Sequence, residues 1–89
     1  MPINIYKQGQ EGNIAWLCDE DWGLASQVYE LEEWLKMNVD NLAKAEYVAD
    51  IGFRGNKDAA GGGGILTLKL LKMLTSIGME VYLSEYPFD

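Results

Sequence analysis

The apolar residues of this chain change period abruptly, and no single type of secondary structure can follow them. From Leu24 through Val28, Leu31, Leu35 and Val39 to Leu42 they recur every third or fourth position, which draws one apolar stripe along a helix of about 3.6 residues per turn. Soon afterwards Tyr47, Ala49, Ile51 and Phe53 alternate with Val48, Asp50, Gly52 and Arg54, the period of a strand with two unlike faces. A stripe and a pleat that share one core require a mixed fold, and the alternating segment is its expected central strand.

The flanking segments supply the remaining elements. Ile3 and Ile5 alternate with polar neighbours, the turn chemistry of Gln8-Gly9-Gln10-Glu11-Gly12 follows, and Ile14, Trp16 and Cys18 alternate again, so the first eighteen residues read as a β-hairpin. The charged run Asp19-Glu20-Asp21-Trp22-Gly23 ends it. Asp40 and Asn41 loosen the end of the first helix. Beyond Arg54 a stretch rich in glycine and alanine closes on Gly61 to Gly64, a loop or a strand edge approached closely by other backbone. Ile65 and Leu66 are expected to form a short strand before Thr67, a candidate N-cap. Leu68, Leu71, Leu74 and Ile77, with Leu70 and Met73 beside them, give the second helix its apolar face. Gly78 stands where a left-handed C-cap belongs, and Met79, Val81 and Leu83 alternate to form the last strand before Pro87.

The expected order is strand, strand, helix, strand, strand, helix, strand. Its last six elements have the order of ferredoxin-like split βαβ folds. Residues 1–89 thus read as a single α+β domain of two layers, a mostly antiparallel sheet of four or five strands with two helices on one face. If the segment before Thr67 is only loop, the order becomes ββαβαβ, and the strand after Gly78 is a parallel edge strand reached by a crossover.

Charge and residue usage narrow the function. Seven Lys plus Arg against fourteen Asp plus Glu leave a net charge of −7, which opposes nucleic acid and anionic membrane surfaces as partners and favours a basic protein surface. No apolar run approaches the length of a membrane span, and nothing near Met1 resembles a secretory signal. Cys18 is the sole cysteine, so neither an internal disulfide nor a thiolate metal cluster can form, and it reads as a small buried hydrophobe of a cytoplasmic protein. There is no histidine, which removes the usual general base, the nucleophile pairs that depend on it and the commonest metal ligand. No catalytic residue, metal or cofactor is expected, and the chain does not read as an enzyme.

Binding remains. Carboxylates lie beside large aromatics at Asp19, Glu20, Asp21 and Trp22, at Glu30 and Glu33 near Tyr29 and Trp34, and at Tyr82, Glu85 and Tyr86. Aromatics anchor interfaces and acids steer a basic partner, so these residues are the expected partner-binding set. A small anionic ligand on the glycine loop is the alternative, with Arg54, Lys57, Gly62, Gly63 and Gly64 as its residues, although the phosphate-loop pattern of Lys followed by Ser or Thr is absent. A homo-oligomeric structural subunit, a homodimer in its simplest form, is a further alternative, built through the open sheet face or the edge beside Gly61 to Gly64.

The arrangement from Ala15-Trp16-Leu17 through Leu31 to Leu35, then Ala49-Asp50-Ile51-Gly52-Phe53, then Leu70-Leu71 to Gly78-Met79-Glu80-Val81-Tyr82 resembles small acidic immunity-type proteins of bacteria. It is also similar in outline to ribonuclease inhibitors of the barstar type, without their inhibitory motif. The resemblance implies a cytoplasmic, toxin-neutralising inhibitor that occludes a basic partner with acidic and aromatic side chains.

Overall fold

The alternating segment is the central strand, with a neighbour on each side. The computed structural model describes residues 2–55 and 63–87. Its elements are β1 (Ile3–Lys7), β2 (Ala15–Leu17), α1 (Leu24–Asn38), β3 (Tyr47–Arg54), α2 (Leu68–Ile77) and β4 (Met79–Tyr86), with a short 3-10 turn at Val39–Asn41 after α1. The strands lie in the order β2-β1-β3-β4. β1 is antiparallel to both β2 and β3, whereas β4 runs parallel to β3.

This corrects the expected ferredoxin-like order; the sheet is mixed, with two of its three pairings antiparallel and the third parallel. Ile65 and Leu66 form no strand; Ile65 is 78% exposed and the chain runs irregularly into Thr67. The reason is local: Gly64 brings its backbone against α1, where a Cβ would lie 3.3 Å from Val28 Cγ2 and 3.5 Å from Ala25 Cα. From that point beside α1 the next two residues lead into the Thr67 cap without pairing with a strand. Among the described residues no strand stands between β3 and α2, and the strand that follows α2 returns parallel, as the ββαβαβ alternative requires.

Both helices share the face made by odd-numbered strand residues. Ile3, Ile5, Tyr47, Ala49, Ile51 and Met79 pack with Val28, Leu31 and Leu35 of α1 and with Leu70, Leu74 and Ile77 of α2 into one core. Ala15 and Leu17 are the residues of β2 that turn to this core, so of the alternating set Ile14, Trp16 and Cys18 the first two are exposed, and Cys18, just past the strand, packs against the core. In α2 the buried line is Leu70, Leu74 and Ile77, while Leu68 is 75% exposed; only part of the wide apolar face expected there is used.

The helix ends are set by local chemistry. Thr67 accepts from Leu70 N–H at 3.0 Å, capping α2, and Gly78 takes φ 80° at its end. A side chain at Gly78 would also collide with the Ala45 carbonyl, so glycine is required there for conformation and for space. α1 lacks a side-chain cap of this kind; instead Asp21 accepts from Gly23 N–H at 2.9 Å and from the Ser26 hydroxyl at 2.5 Å, which holds the turn that leads into it. Gln27, fully buried, donates from Nε2 to the carbonyls of Asp21 and Gly52, both at 2.7 Å, tying this turn and α1 to β3. Among the described residues, no helix is long and apolar enough to cross a membrane.

Candidate functional site

The second face of the sheet carries the even-numbered residues, and among the described residues no helix covers it. Register places Trp16, Asn4, Asp50 and Tyr82 in one row across all four strands. At about 4.8 Å between strands that row is about 14 Å long. The adjoining row is Tyr6, Val48 and Glu80. Trp16 is 49% exposed and Tyr82 is also exposed, whereas Val48 between Tyr6 and Glu80 is fully buried although it lies outside the helix-side core. The open face therefore has its own small apolar floor.

Polar contacts order the row. The Ser84 hydroxyl donates to Asp50 Oδ1 at 3.0 Å, Gln8 Nε2 donates to the Tyr82 hydroxyl at 3.3 Å, and the Asn13 amide donates to Asn4 Oδ1. The Tyr6 phenol is held above its ordinary pKa by partial desolvation first, then by Tyr82 and by the Asp50 carboxylate. Tyr6 thus stays neutral and a hydrogen-bond donor across the physiological range. What results is a carboxylate beside two phenols, with an indole two strands away in the same row, a setting that suits a guanidinium or ammonium group through charge and through the ring faces together.

A second aromatic group closes one end of this face. Trp22 and Tyr86 meet edge to face with ring centroids 5.5 Å apart, and the Arg54 guanidinium carbon lies 4.3 Å from the Trp22 ring centre. Arg54 N–H also donates to the Trp22 carbonyl at 2.9 Å. The Tyr86 ring lies over Gly52, where a Cβ would come within 2.9 Å of it. Gly52 is thereby explained as the residue that lets an aromatic ring lie flat on the strand.

The expected partner-binding residues are distributed over the molecule. Tyr82 and Tyr86 stand on the open face and Trp22 at its end. Asp19 and Glu20 are exposed in the turn after β2, whereas Asp21 is taken up in organising the start of α1. Glu30 and Glu33 belong to α1 in the opposite layer, with Glu33 bound to Lys36 at 2.8 Å. Glu85 alternates to the other side of β4 from Tyr82 and Tyr86, opposite Phe53. Tyr6 and Asp50, which sequence reasoning left out of the set, occupy the middle of the open face, and Trp16, also left out, stands on its β2 edge. The alternation of β3 already separated Asp50 from the core residues; which strands would flank it was set by the register.

The glycine-loop alternative meets different chemistry. Lys57 and Gly62 lie outside the described residues. Gly63 and Gly64 border a groove of about 580 Å³ whose lining includes Ala25, Tyr29, Glu32 and Thr67. Its charged member is an acid: Glu32 accepts from the Thr67 hydroxyl at 2.5 Å and so stands at the N-terminus of α2, where an anionic ligand would bind. Arg54 is stacked on Trp22 and is not part of that lining.

Cys18 is partly buried with φ 56°, and burial, then Asp21, Glu30 and Asp19, raise its thiol pKa to about 11. It is a protonated, weakly nucleophilic group at neutral pH. No protein-family model, curated protein or solved structure matches this chain.

Proposed function

We propose that this chain is a protein-binding module that receives a basic surface of its partner on the open face of the sheet, acting by occlusion and not by catalysis. The observation that carries this reading is the row Trp16, Asn4, Asp50 and Tyr82, a central carboxylate between exposed aromatics. Tyr6, Glu80 and Tyr86 extend it. Asp50 and Glu80 outnumber the cation described on this face, Arg54, which keeps its charge while it rests on Trp22, so the face is acidic, in keeping with a chain of net charge −7. Asp19 and Glu20 add to the field that steers a basic partner during approach.

The specific form we favour is an inhibitor of the immunity type in a reducing, cytoplasmic compartment. A single cysteine with a raised pKa and the absence of histidine agree with a binding role. The test is a pull-down from the native source with the wild-type chain and with Asp50→Asn and Trp16→Ala variants, washed at low and at moderate salt. A basic protein retained by the wild type, weakened by salt and lost with both variants supports the reading. Retention that both variants leave unchanged would refute it. Neutralising Asp19 and Glu20 as amides is expected to slow association several-fold while leaving dissociation nearly unchanged.

A further inference from the structure

The two edges of the sheet are unequal. β2 is three residues long and exposes little unpaired backbone. β4 is eight residues long, and its register with β3 is continuous from Met79 to Tyr86 without a bulge. Natural edges are usually blunted by charged side chains, above all Lys, by Pro or by a bulge; β4 has no Lys, Pro or bulge before Pro87, and its charges are Glu80 and Glu85 alone. Among the described residues nothing pairs with its outer side. Leu83 is 58% exposed on this strand.

We propose that β4 pairs with β4 of a second copy of this chain, antiparallel, about a two-fold axis at Tyr82. The register follows from the strand itself. In an antiparallel pair, directly opposed residues turn their N–H and C=O groups either both toward each other or both away. Two copies of β4 share one alternation, fixed by β3 on the inner side, so the axis must fall on a residue and not between two. Glu80 and Glu85 are excluded as the axis because each would oppose its own copy. An axis at Val81 or Ser84 shortens the ladder to five residues or so, and one at Leu83 sets Val81 against Glu85. With Tyr82 on the axis, Val81 opposes Leu83 twice, Glu80 opposes Ser84 and Met79 opposes Glu85. This register matches Val81 with Leu83 and separates the carboxylates across a ladder from Met79 to Glu85; its apolar–acid pair, Met79 with Glu85, falls at the ladder's ends and not inside it, as Val81 with Glu85 would.

The consequence is a continuous sheet of two copies with both open faces on one side and the two Tyr82 side chains adjacent. It goes beyond the binding reading and does not depend on it: the edge uses backbone groups, and the partner would use the face. Each copy carries −7, so salt strengthens the pairing by screening, opposite to its effect on a basic partner.

Sedimentation equilibrium of the full chain from about 5 to about 500 µM tests the proposal, because a self-associating species gains mass with concentration. The expected mass rises from 10.0 kDa toward twice that value, more readily at high salt, and Leu83→Lys weakens association at least tenfold while leaving the circular dichroism and melting curve intact. Register is read separately in a Cys18→Ser background. Opposed Cα atoms about 4.5–5.5 Å apart are within disulfide reach, so oxidation should link Tyr82→Cys into dimers and leave Glu80→Cys monomeric. A mass of 10.0 kDa throughout, a dimer unaffected by Leu83→Lys, or linkage at position 80 in place of 82 would overturn it.

Discussion

The two faces of one sheet obey different rules in this molecule. On the helix side Ile3, Ile5, Ala49 and Ile51 are all fully buried and aliphatic, and packing there is close enough that shape decides what fits. On the open side the same strands present Asn4, Tyr6, Asp50 and Gly52, and a single valine is sealed beneath polar and aromatic neighbours. The difference teaches that stability and recognition are separated by the pleat. One face keeps the chain folded, and the other is free to carry charge beside exposed rings.

The sharpest way to break this comparison is to truncate one side chain to alanine on each side. Leu35→Ala removes a fully buried side chain and is expected to cost about 2–5 kcal/mol in urea denaturation, enough to unfold much of a domain of this size near physiological temperature. Tyr82→Ala, on the open face, is expected to cost under about 1 kcal/mol. Equal losses would mean that the open face is a second core and not a surface for partners.

A smaller effect tests whether α2 is held by its cap as well as by its buried line. Thr67→Ala removes the acceptor for Leu70 N–H and the donor to Glu32, and a loss of about 1 kcal/mol in the same assay is expected, with Thr67→Ser recovering most of it. If Thr67→Ala is neutral, the helix is set by Leu70, Leu74 and Ile77 alone.

The smallest effect concerns Cys18, between the hairpin and the acidic turn. Its folded pKa, about 11, lies above the ordinary value of 9.0, so the native state holds the proton more tightly than the unfolded chain. The resulting stability is fully present below pH 9 and is lost as pH rises through about 11. Melting temperature followed across that window should fall more steeply in the wild type than in Cys18→Ala. At pH 8 the folded chain should react with iodoacetamide more slowly than the denatured chain.

Much of this fold was legible in local chemistry. The stripe from Leu24 to Leu35, the alternation of Tyr47 to Arg54, the Thr67 cap and the Gly78 stop are each set by neighbours within a turn or a pleat, and each appears where periodicity placed it. The site was less legible. Trp22, Tyr82 and Tyr86 were visible as aromatics beside acids, but Asp50 and Tyr6 gain their meaning only from residues far away in sequence. Adjacent carboxylates were a poor guide for Asp21, whose side chain is taken up by Gly23 and Ser26.

The sequence by itself determined the element types, most of their ends, the acidity of the molecule and the chemistry it lacks, because these depend on residue identity and short-range geometry. Only the tertiary structure decided that β4 runs parallel to β3, that β1 lies between β2 and β3, and that Trp16, Asn4, Asp50 and Tyr82 stand in one row. Strand order and register are long-range choices. They depend on which pleat buries the most aliphatic surface against both helices, and that is not encoded in any one segment.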